Sequence, residues 1–115
     1  MPTENRTRVE FYLPVRSDIA AYQSTLDWLA EELALARGGT TVTTPFAGLY
    51  ASSGYAELIS DSIRILFCDF DLDPGMTQDK SELLDYLETI KTYLMSKLEE
   101  EEIWIVFYPI VRVLS

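Results

Sequence analysis

The run Ile103 to Val111, Ile-Trp-Ile-Val-Phe-Tyr-Pro-Ile-Val, is the longest uncharged apolar stretch of the chain and follows directly on Glu99 to Glu102. It is too short to cross a membrane, which takes about 20 apolar residues as a helix. Its β-branched and aromatic content predicts a strand, and its lack of alternation predicts that both faces of that strand are covered. At the other end, Met1 to Thr7 is polar and is expected to be loose. From Arg8 the pattern alternates, with Val9, Phe11 and Leu13 on one face and Arg8, Glu10 and Tyr12 on the other, until Pro14 closes a half-buried strand.

Ile19, Tyr22, Leu26, Leu29, Leu33 and Ala36 recur at spacings of three and four, the stripe of an amphipathic helix. Ser17 or Asp18 is its expected N-cap, and Gly38 is suited to the left-handed position that ends it. Thr40 to Ser52 reads as a second strand interrupted by Pro45, which implies an edge or a bulge. Ser52-Ser53-Gly54 is a hairpin signal leading into Tyr55 to Ile59 and then, past a break at Ser60-Asp61, into a strand from Ile63 to Asp71. Both faces of that strand are largely apolar, which predicts a central place. Asp79 with Glu82 has the form of a capping box, and Leu83, Leu87, Ile90, Leu94 and Leu98 trace a second helix that Glu99 to Glu102 terminate.

Strand, helix, strand, strand, helix, strand with right-handed crossovers is the order of a ferredoxin-like α+β sandwich, βαββαβ, with two helices on one face of a four-stranded antiparallel sheet. The expected division is residues 1–7 as a flexible terminus and 8–115 as one domain. Val9, Phe11, Leu13, Ile63, Ile65, Phe67, Ile103, Ile105 and Phe107 are expected under the helices. Tyr12, Leu66, Cys68, Phe70, Trp104, Val106 and Tyr108 are expected on the opposite face, with Glu10 and Arg64 as a cross-strand ion pair among them. Two helices cannot cover that second face, and apolar area left wet costs about 25 cal/mol per Å². A second copy of the chain is the expected cover, because a twofold interface satisfies identical patches together; a small apolar ligand, or the Thr40 to Ile59 segment folded over the face, is the alternative. Leu66, Cys68, Trp104 and Val106 are the expected interface, and Glu10, Tyr12, Arg64 and Tyr108 the groups that would orient a small apolar ligand or a protein partner.

Composition narrows the chemistry. The formal charge of −10 and a pI near 4.3 argue against direct binding to nucleic acid or to anionic membrane surfaces. There is no histidine, so the commonest general base and transition-metal ligand is missing. The single Cys68 excludes an internal disulfide, and with no secretory-type leader visible a cytoplasmic location is expected. Asp69, Asp71 and Asp73 alternate as in a calcium loop, but the glycine and glutamate positions of that loop hold Pro74 and Lys80. No cofactor or metal is expected. Tyr12, Tyr50, Tyr55 and Tyr108 read as packing residues with polar tips.

On Arg8 to Pro14, Gly38-Gly39-Thr40-Thr41-Val42, Pro45 to Tyr50 and Ile103 to Pro109, the chain resembles short bacterial, often cyanobacterial, ferredoxin-like proteins of unassigned function. The resemblance spans nearly the whole chain and implies the fold, and it transfers no activity. A looser similarity is to the dimeric α+β barrels, several of which are small oxygenases or isomerases that use a histidine absent here. Three functions follow. The first is a non-catalytic homodimeric binding domain. The second is a cofactor-independent enzyme using Glu10, Tyr12 and Arg64, and the third an acidic inhibitor that mimics nucleic acid through the helical carboxylates and Glu99 to Glu102.

Overall fold

The computed structural model describes the backbone of residues 2–51 and 58–114 and, outside 46–61, their side chains. The elements are β1 (Thr3–Pro14), α1 (Tyr22–Arg37), β2 (Thr41–Val42), β3 (Phe46–Ala51), β4 (Leu58–Phe70), α2 (Thr77–Lys97) and β5 (Trp104–Val113). All pairings are antiparallel. β2 and β3 both pair with β4 and share one place in the sheet, so its order is β2/β3, β4, β1, β5. This is the βαββαβ ferredoxin-like α+β fold.

The break between β2 and β3 falls at the expected proline. Pro45 has no amide to donate, and Thr43 maintains the connection by donating its backbone N–H to the Ile65 carbonyl (2.9 Å) while its Oγ1 accepts from the Ile65 N–H (3.0 Å). The expected turn at Ser52-Ser53-Gly54 and Tyr55 lie outside the described residues. β4 runs unbroken through Ser60-Asp61, paired there with Leu49 and Gly48. The amino-terminal residues are also strand: Thr3 to Arg6 pair with Val113 to Ile110. Polar composition concealed this pairing, because backbone bonds to β5 hold the segment while Glu4 meets Arg6 and Arg112 at 3.4 Å.

Helix boundaries differ from the simplest capping reading. α1 begins at Tyr22 with no side-chain cap, since Asp18 is engaged by Arg16 at 2.9 Å, an arginine that also reaches Glu100 at 2.6 Å. Gly38 ends the helix at φ 96°, its N–H bonded to the Ala34 carbonyl. α2 begins at Thr77, and Asp79, inside its first turn, accepts from the Asp73 N–H at 2.9 Å instead of capping.

The core lies between sheet and helices. Tyr22, Leu26, Leu29 and Leu33 of α1 and Leu83, Leu87, Ile90 and Leu94 of α2 pack with Leu98 on Val9, Phe11, Leu13, Leu66, Cys68, Phe70 and Ile103. Ala36, the last residue of the expected α1 stripe, is exposed. Trp28 of α1 packs on Tyr93 of α2 with ring centroids 4.3 Å apart. Arg37 lies 4.5 Å from the ring centroids of both Phe70 and Tyr86, the end of α1 being tied to β4 and α2 by cation–π contact. At both ends the sheet thins to two strands, Thr3–Arg6 against β5 and Ala47–Ala51 against β4. The radius of gyration is accordingly 15.7 Å, against about 13 Å for a compact chain of this length.

The open sheet face as a candidate binding surface

Pairing register decides which side chains share a face, since residues directly opposite in an antiparallel pair point the same way. Val9 is opposite Cys68, Phe11 opposite Leu66 and Leu13 opposite Arg64. These residues therefore belong to the helix side, where Leu66 is 0% exposed and Cys68 2%. Glu10 is opposite Phe67 and Val106, Tyr12 opposite Ile65 and Trp104, and Arg8 opposite Asp69 and Tyr108. These make up the open face.

The assignment of β4 from sequence is thus corrected. Leu66 and Cys68, expected in an interface, are core residues beneath the helices, and Ile63, Ile65 and Phe67, expected in the core, are half-buried on the open side. Arg64 lies on the helix side of the sheet, opposite Leu13 and near Tyr22, so the expected Glu10–Arg64 ion pair does not form and Glu10, Tyr12 and Arg64 are not assembled into one site. The long apolar stem of Arg64 lets it border the core from the middle of β4, and the charge on the other set, Asp69, is met by Arg8. β1 faces as its alternation indicated, and β5 turns Ile105 and Phe107 to the helix side as expected.

At the middle of the open face the Glu10 carboxylate accepts two phenolic hydrogen bonds, from Tyr12 to Oε1 (2.9 Å) and from Tyr108 to Oε2 (3.0 Å). Bonding to Glu10 raises the Tyr12 pKa, because the hydroxyl proton is shared with a negative acceptor; burial foremost, then Glu10, raises that of Tyr108. Arg8 donates to both oxygens of Asp69, at 2.8 and 3.1 Å, and its guanidinium lies 5.0 Å from the Phe67 ring centroid. That pair holds Asp69 below the usual carboxylate range. Among the described side chains the face carries Glu4, Glu10 and Asp69 against Arg6, Arg8 and Arg112, so it is neutral in a chain of net charge −10.

Across β5 this face is bare. Trp104 is 69% exposed, Tyr108 38% and Val106 37%. Among the described residues nothing supplies the covering that the unbroken apolar run predicts for the open side of the last strand.

The other candidate groups have structural places. Cys68 is buried, and burial pushes its thiol up to about 11. Asp69 binds Arg8, Asp73 accepts from the Gly75 N–H at 2.9 Å, and Asp71 is exposed. Among the described residues no three His, Cys, Asp or Glu side chains are grouped as metal ligands. The Tyr50 and Tyr55 side chains lie outside the described residues. No described helix is long and apolar enough to cross a membrane. Sequence reading put Phe67 on the other face and, although it set Arg8 beside Glu10 and Tyr12, gave it no role; an arginine and an aspartate on adjacent strands, Arg8 and Asp69, were the signal for the register.

The fold has solved counterparts. The chain is similar in fold to CutA1 proteins. CutA1 from Oryza sativa superposes with a TM-score of 0.56 at 11% identity, over 94% of this chain and 82% of that one. The divalent cation tolerance protein (Cut A1) from Thermus thermophilus gives 0.55 at 15% identity, over 93% and 84%. CutA from Synechococcus elongatus gives 0.53 at 13%, over 96% and 84%. No protein-family model matches the sequence, and no curated protein matches it.

Proposed function

We propose that this chain is a non-catalytic binding domain that pairs with a second copy of itself through the open face of the sheet. The observation that carries the reading is the exposure of Trp104, Val106 and Tyr108 on a face that neither helix reaches. Its composition fits protein contact: tryptophan, tyrosine, phenylalanine and arginine are present, and every lysine (Lys80, Lys91, Lys97) lies on α2. Charge favours a second copy over other occupants. The faces that meet carry balanced charge over the described side chains, while the acidic helical layers remain on the outside of the pair.

Light scattering across a dilution series tests this. The expected result is a wild-type dimer that Trp104→Glu converts to a folded monomer, since a carboxylate forced into an apolar contact has no partner there. A monomeric wild type at every concentration overturns the reading.

A further inference from the structure

Glu10 presents a difficulty for any partner that closes over this face. Both its oxygens are bonded, but to neutral hydroxyls, which cannot cancel its charge. No described arginine or lysine forms an ion pair with it: Arg8 is committed to Asp69, and Arg6 and Arg112 share Glu4. In the single chain water compensates this carboxylate. Pairing removes the water, and because Glu10 lies within the doubly bonded part of the central strand, Thr7 to Tyr12, a twofold pairing brings two such charges into the enclosed region. The penalty for enclosing an uncompensated carboxylate is several kcal/mol per ion.

We infer that the closed pair holds a small organic cation, an ammonium or guanidinium, between the two Glu10 carboxylates and against the rings of Tyr12, Trp104 and Tyr108. The inference rests on the pairing proposed above. The surroundings select the chemistry. A hard metal ion takes about six or more oxygen ligands, whereas Glu10 lies opposite Phe67 and Val106 and each of its oxygens already accepts a hydrogen bond. Aromatic faces stabilise an organic cation through their quadrupoles. Arg8 over Phe67 is an instance within the chain itself: a guanidinium resting on a ring of this face.

The experiment compares the dimer dissociation constant of wild type and Glu10→Gln in sodium, tetramethylammonium and magnesium chloride at matched ionic strength. Tetramethylammonium is expected to tighten wild-type pairing about tenfold or more relative to sodium, as a ligand bound only by the pair must. Glu10→Gln keeps an acceptor for the tyrosines and removes the charge, so it is expected to pair at least as tightly as wild type in sodium and to ignore tetramethylammonium. A wild-type dimer indifferent to tetramethylammonium, or one tightened by magnesium alone, overturns the cation site and leaves the pairing standing. A wild type that is monomeric in all three salts overturns the pairing, and the site with it. The salt comparison on wild type decides the matter even if the variant fails to fold.

Discussion

The orientation of β4 can be tested by two neighbouring substitutions, Leu66→Ala and Phe67→Ala, which lie on opposite faces of one strand. Leu66 is 0% exposed in the core beneath the helices, opposite Phe11. Truncating a buried leucine removes its transfer free energy and leaves a cavity, about 2–5 kcal/mol in total. Phe67 is half-buried on the open face, with the Arg8 guanidinium 5.0 Å from its ring centroid. Losing part of its apolar burial and one cation–π contact should cost about 1–2 kcal/mol. The smaller side chain is therefore expected to be the costlier one to remove. Urea unfolding followed by far-ultraviolet circular dichroism, in a Trp104→Glu background so that pairing adds nothing to Phe67, measures both, with equal slopes required for the comparison. A Phe67→Ala loss equal to or larger than that of Leu66→Ala would refute the register and restore the face read from the sequence.

Two further outcomes are expected. Gly38→Ala places a Cβ at φ 96° with no atom within 4 Å, so the penalty is conformational only, about 1 kcal/mol, while Gly39→Ala, in equally open space without positive φ, should be close to neutral; equal effects in thermal melts would contradict the helix ending described. Burial pushes the Cys68 thiol from its ordinary 9.0 up to about 11, and burial together with the bond to Glu32 pushes the Tyr86 phenol from 10.0 up to about 12. Both folded-state values are raised, so the unfolded chain loses these protons first: their contribution is full below about pH 9 and is lost as pH climbs through 9 to 12. Cys68→Ala should move the onset of alkaline destabilisation upward into the range of the phenol, and an unchanged onset in melts from pH 8 to 12 would refute the thiol's part.

What could be read in the chain followed from how one-sided each element is. β1 has one set of alternate positions suited to the core and both helices carry a single stripe, so their faces were fixed by pattern alone; β5 is apolar on both sides, and its ladder to β1 decides its face, Ile105 and Phe107 lying opposite Phe11 and Val9. β4 offers Ile63, Ile65 and Phe67 against Leu66, Cys68 and Phe70, with charged residues in both sets, and hydrophobicity cannot choose between them. The choice is made across strands, by Arg8 meeting Asp69 and by Phe11 and Val9 meeting Leu66 and Cys68. Thr3 to Arg6 was hidden for a related reason: a ladder formed by main-chain bonds leaves little trace in side-chain type. The group of Glu10, Tyr12, Trp104, Val106 and Tyr108 was legible because it lies wholly on β1 and β5, whose faces were read correctly, whereas Arg64, Leu66 and Cys68 came with β4 and went to the other face with it.

The uneven width of the sheet has a consequence for how the molecule opens. Only Thr7 to Tyr12 of β1 has strands bonded along both sides; the residues before them rest on β5 alone and the last two on β4 alone. Amide protons of the central stretch can exchange only when the sandwich as a whole comes apart, while those at either tip need just one ladder to fray. Fluctuation is therefore graded along a single strand, slow at the level of Glu10 and faster toward both extremities, so the most persistent backbone of the chain underlies the carboxylate at the centre of the open face.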